Sequence, residues 1–124
     1  MFHVEQYNLK LGKLGENIAC TYLVKSAYVV IAKNARIGHK EVDLIVQKGK
    51  KLVFVEVKTA FSTDKALKTP EDYMSSHKIN LLRKAIHDYC LILAKNEENA
   101  YIDLLTIRVF KHNVANISHY KNIC

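Results

Sequence analysis

Glu56 and Lys58 stand two positions apart in KLVFVEVKT (Lys51–Thr59), a run otherwise built of apolar residues. On an extended strand such residues share a face, so a carboxylate and an ammonium point the same way. The preceding apolar stretch, EVDLIVQ (Glu41–Gln47), carries a second pair of the same spacing, Glu41 and Asp43. If the two strands join through the turn KGKK (Lys48–Lys51), Asp43 and Glu56 face one another. Opposed carboxylates repel and lower stability. A hard divalent cation, Mg2+ or Mn2+, would relieve that repulsion, since it takes carboxylate oxygens and completes its shell with water and substrate phosphate. Lys58 could then hold or activate a water near a phosphodiester. The alternative is a solvated ion pair on a half-exposed strand, worth little energy. Spacing alone permits both.

Two residues outside the strands favour a site. Glu16 lies at the flank of the apolar arc of the first helix, where it can reach over a sheet. Lys78 falls in line with Leu82, Ala85 and Tyr89 on the buried side of a later helix. A lysine in a first turn opposes the helix dipole, and a costly position is where function is worth seeking. Asp103 reads as a structural partner of a lysine or a backbone donor, and His119 as a packing or hydrogen-bonding residue. His39, with Arg36 and Lys40 before the second strand, could meet phosphate or simply be solvated.

The elements that must position these residues follow from periodicity. Leu11, Leu14, Ile18 and Tyr22, with Ala19 and Leu23 beside them, give a first helix over Asn8–Ser26. Tyr28–Lys33, Glu41–Gln47 and Leu52–Lys58 read as three strands in a meander. The polar segment AFSTDKALKTPEDYMSS then predicts a loop with one short helical turn. Ser75 or Ser76 offers an N-cap for a second long helix through Leu93. Ala100–Phe110 is a fourth strand, and VANISHY adds a short edge strand. Helix, three strands, helix, strand predicts an α/β fold with a mixed sheet flanked by helices.

At 124 residues the chain is expected to form a single domain, residues 1–124. Its net charge of +7 favours polyanionic partners such as nucleic acid. Cys20, Cys90 and Cys124 are odd in number and widely spaced, which predicts reduced thiols rather than a disulfide framework or a zinc knot. No secretory leader and no long apolar run is visible, so a soluble cytoplasmic protein without membrane association is expected.

The stretches GKLGENIACTYL, NARIGHKEVDLIV, LVFVEVKT and HKINLLRKA and the closing ISHYKNIC closely resemble, in order, the YraN-like family of small bacterial proteins. That family looks like part of the restriction-endonuclease-like, PD-(D/E)xK superfamily, similar in its core to archaeal Holliday junction resolvases. The resemblance implies a restriction-endonuclease-like central mixed β-sheet flanked by α-helices, carrying a metal-dependent nuclease site. By position, Asp43 and Glu56 would bind Mg2+ or Mn2+, Lys58 would complete the E-x-K motif, and Glu16 would be the helix glutamate. Lys78 would match the family's basic residue on the following helix and contact phosphate, while Arg36 and His39, read from the residues alone, are further candidate substrate contacts. The chain departs from the family at Ala60 and Tyr101, where arginines are usual, so fewer basic contacts near the site are expected. The implied activity is a divalent-metal-dependent endonuclease hydrolysing phosphodiester bonds, with branched or structured DNA as a candidate substrate. The alternative is a nucleic-acid-binding module with little or no catalysis that recruits a DNA repair or processing partner. A third reading is an interaction protein whose charge serves solubility. By analogy with resolvases, whose substrates are two-fold symmetric, a homodimer is expected.

Overall fold

The computed structural model describes residues 4–64, 69–111 and 114–123, with side chains from residue 10 onward. Parts of two expectations, the loop through residues 65–68 and the thiol of Cys124, lie outside the described residues.

Helix α1 (Val4–Lys25) is followed by strands β1 (Val29–Ile37), β2 (Lys40–Lys48) and β3 (Lys51–Phe61). A one-turn helix α2 (Pro70–Tyr73), the long helix α3 (Ser76–Leu93), a 3-10 turn (Glu97–Asn99), β4 (Ala100–Val109) and β5 (Ala115–Tyr120) complete the order. The five strands form one sheet in the order β1-β2-β3-β4-β5. β3 and β4 pair in parallel, and every other neighbour is antiparallel. A parallel pair needs a crossover, which α2 and α3 supply. The sheet is therefore mixed and flanked by helices, as the pattern of elements predicts.

Two apolar layers hold the helices to the sheet. On one face Leu82, Ala85, Ile86 and Cys90 of α3 pack with Ile45, Phe54, Ile102 and Leu104. On the other, Ala19 and Leu23 of α1 pack with Leu44, Val55, Leu105 and Ile107. Strands covered on both faces read as continuous apolar runs, which explains LVFV and IDLL. Cys20 and Cys90 are free thiols, as expected, and Cys90 is part of the α3 layer.

The face of α1 is rotated from the expected one. Leu14 is 41% exposed, and the buried line runs through Gly15, Ala19 and Leu23. Small residues let the helix approach β3 closely, and a side chain at Gly15 would overlap the Thr59 hydroxyl. This close contact brings the next residue, Glu16, to the end of the sheet. β1 also runs on beyond Lys33 to Ile37. It is an edge strand, so the polar residues Lys33, Asn34 and Arg36 face solvent without ending the strand.

Candidate active site

The hairpin between β2 and β3 fixes the geometry of the site. Its turn at Gly49 uses a left-handed backbone (φ 60°), which glycine adopts without strain. The register then runs from Lys48–Lys51 to Leu44–Val55. The next position in that register sets Asp43 against Glu56, and there the backbone pairing stops. The Asp43 side chain takes over, its Oδ2 accepting the Val57 N–H at 2.8 Å. The sheet opens at the point where the two carboxylates meet.

Glu56 is only 4% exposed, which rules out the solvated surface pair as an account of it. Lys58 Nζ lies 3.3 Å from Glu56 Oε1, and Lys78 Nζ lies 3.4 Å from Oε2. The two lysine side chains remain 39% and 34% exposed, so they can meet a ligand while neutralising the carboxylate beneath them. Lys78 is held by its helix start: Ser75 caps α3, and its Oγ accepts the Lys78 N–H at 3.2 Å. Pairing with Glu56 offsets the unfavourable position of a lysine in a first turn.

The carboxylates are incompletely compensated. Burial first, then the charges of Glu56 and Glu16, raise the Asp43 carboxyl from 3.8 to about 6, against the opposing pull of the Val57 N–H and Lys58. Glu16 Oε1 is buried without a hydrogen-bond partner among the described residues. A buried acceptor without a partner is expensive, and a group of three acidic side chains more so. These features fit a hard divalent cation, whose carboxylate ligands would be Asp43 and Glu56. Among the described residues no three His, Cys, Asp or Glu side chains form a ready-made metal cage. Magnesium does not need one, because it keeps several waters and uses one or two carboxylates.

Of the residues singled out from sequence, Glu16, Asp43, Glu56, Lys58 and Lys78 converge. Arg36 and His39 do not share a described contact with them. Arg36 is a strand residue rather than a loop residue, paired across β1–β2 with Glu41, and His39 is exposed in the turn beyond it. Lys40 is paired with Asp88 at 3.7 Å.

Asp103 and His119 form a separate network on the α1 face of the sheet. His119 Nε2 lies 2.7 Å from Asp103 Oδ2, and His119 Nδ1 lies 2.9 Å from the Tyr22 hydroxyl. With the Asp103 oxygen accepting from Nε2–H, a neutral His119 ring accepts from the Tyr22 hydroxyl at Nδ1. Asp103 Oδ1 accepts the Asn122 N–H at 2.9 Å. Asp103 thus has the backbone donor expected of a structural partner, from Asn122, and a histidine where a lysine was the other expectation.

The model of the uncharacterised protein family UPF0102 matches residues 15–109. A UPF0102 protein of Flavobacterium johnsoniae is 39% identical over 101 residues, spanning 79% of this chain and 80% of the relative. The UPF0102 protein BF0634 of Bacteroides fragilis is 37% identical over 116 residues, spanning 94% and 92%. Among solved structures, SfsA of Pyrococcus furiosus in complex with Ca2+ aligns with a TM-score of 0.41 at 16% identity, over 92% of this chain and 63% of that one.

Proposed function

We propose that this chain, which belongs to the UPF0102 family, is a divalent-metal-dependent endonuclease that hydrolyses phosphodiester bonds in DNA. The observation that carries this reading is the opening between β2 and β3, where Asp43 and Glu56 meet beside Lys58 and the partnerless oxygen of Glu16. The order of elements and the positions of Glu16, Asp43, Glu56 and Lys58 are those that the resemblance to PD-(D/E)xK nucleases implies.

Asp43 and Glu56 would hold Mg2+ or Mn2+. The bound ion would supply Lewis acidity to the phosphoryl oxygen and lower the pKa of a coordinated water. Glu56 also fixes the two ammonium groups, one from its own strand and one from α3. Lys58, one pleat along from Glu56, orients the attacking water, which gives its proton to the open oxygen of Glu16 as its own oxygen bonds to phosphorus; the P–O bond to the departing sugar oxygen breaks, and that oxygen takes a proton from solvent. Glu16 accepts a hydrogen bond from that water through its open oxygen. Lys78 contacts a non-bridging phosphate oxygen and favours the extra negative charge of the pentacovalent state. The surface charge of +7 draws the polyanion in.

The test is incubation of purified protein with linear, flapped and four-way DNA in Mn2+, beside the Asp43→Ala, Glu56→Ala double variant. Metal-dependent cleavage that the double variant lacks is expected. Equal product from both proteins would remove the nuclease reading. Salt-sensitive binding by both without turnover would assign the chain to the binding-module class.

A further inference from the structure

On the α3 face, the sheet changes character beyond Phe54 and Leu104. The covered apolar rows give way to two polar rows crossing β3, β4 and β5: Lys58–Thr106–Ser118 and Ala60–Arg108–Asn116. A strand face packed under a helix is apolar, so polar rows mark a face kept for water or for a ligand. Here the face is concave. A cleft of about 230 Å³ lies over the two rows, with Pro70 and Tyr73 of α2 among the residues that line it. Its lining includes two cations, Lys58 and Arg108, and no carboxylate. Among the described residues no carboxylate pairs with Arg108, whereas Lys58 already serves Glu56. Arg108 is the cation of the cleft left to meet an anion.

The geometry points to a subsite for a single-stranded DNA tract running from the scissile phosphate across β3–β5, with Arg108 as its phosphate contact. This rests on the nuclease reading of the adjoining site. Lys58 belongs to both places, so a strand bound at Glu56 continues into the cleft without a gap. Arg108 stands one same-face row, about 6.7 Å, along the strands from Lys58 and one strand, about 4.8 Å, across, so a single strand joining them crosses the sheet diagonally. Tyr120, 38% exposed, lines the cleft and offers a ring on which a base can stack whatever its sequence. Arg108 also supplies, from the neighbouring strand, a guanidinium at the row where β3 carries Ala60.

The experiment is fluorescence anisotropy of the full chain with a labelled oligothymidylate and with a duplex of equal length, in chelator, across a salt series. Arg108→Ala should weaken oligothymidylate binding about tenfold and reduce the magnitude of the salt slope by about 0.7, the single-strand value for one lost phosphate contact. Asn116→Asp, an exposed substitution in the same row, should weaken it in the same direction. The duplex should be affected less by either. Wild-type protein that does not bind oligothymidylate, variants that leave affinity and slope intact, or equal losses on duplex would overturn the subsite. The nuclease reading fails separately: oligothymidylate bound through Arg108 with no turnover of any substrate keeps the subsite and removes the activity.

Discussion

Glu56 on β3 and Asp103 on β4 are buried to almost the same degree, 4% and 3% exposed, on neighbouring strands. Their surroundings differ in kind. Asp103 has both oxygens engaged, by His119 and by the Asn122 backbone, and the network ends in the Tyr22 hydroxyl. Nothing in it is left over. Glu56 is instead crowded by Asp43 and shared by two lysines that still reach solvent, with a partnerless Glu16 oxygen in the same group of charges. A carboxylate whose partners close on each other fixes the fold, here by tying β4 to α1, β5 and the C-terminal tail. One whose neighbours remain unsatisfied is suited to receive a ligand.

The contrast predicts opposite responses to substitution. The largest effect is on catalysis: Glu56→Gln should cut Mn2+-dependent cleavage by roughly a thousandfold, about 4 kcal/mol of transition-state stabilisation, with little change in melting temperature. Paired activity and thermal-melt measurements check it, and a variant that unfolds while its folded fraction still cleaves would erase the distinction. Next, Asp103→Ala should cost about 3–5 kcal/mol in urea unfolding, because it leaves buried donors on His119 and Asn122 without an acceptor. A smaller loss there than at Glu56 would invert the comparison.

Asp43 provides a third probe through pH. Its folded-state pKa, about 6, lies above the ordinary 3.8, so the folded protein holds an extra proton between these values. That contribution is fully present below pH 3.8 and is lost as pH rises through about 6. Asp43→Asn should therefore match wild type in acid but exceed its stability above pH 6 by on the order of 3 kcal/mol, without metal. Unfolding curves across that range decide the matter, and parallel pH profiles would show that Asp43 is not under strain. The smallest effect is at the outer link of the relay, where Tyr22→Phe should cost about 1 kcal/mol by loss of one hydrogen bond. A chemical-denaturation midpoint indistinguishable from wild type would show that the relay ends at His119.

Much of this was legible in the sequence, for identifiable reasons. The Asp43–Glu56 opposition follows from strand alternation and a glycine turn, both local. The burial of Glu56 was not legible, because it depends on where the crossover helix α3 lies. Lys78 was singled out by its unfavourable place in a first turn, and its partner emerged only with the fold. The histidine partner of Asp103 needed the β4–β5 register, which sets Leu105 against His119. Arg36 and His39 attracted notice as a basic group with Lys40 before the second strand, whereas a polar face crosses β4 and β5. The signal for it was present in the alternation of Thr106 and Arg108 with Ile107 and Val109, which marks one apolar and one polar face.

The central claim, that Asp43 and Glu56 form a divalent-cation site, is tested most directly by anomalous diffraction from a crystal soaked in Mn2+. An anomalous peak between the two carboxylates, at coordination distance from both, is predicted. A crystal containing Mn2+ elsewhere but none at this opening, with Lys58 and Lys78 still closed over Glu56, would contradict it.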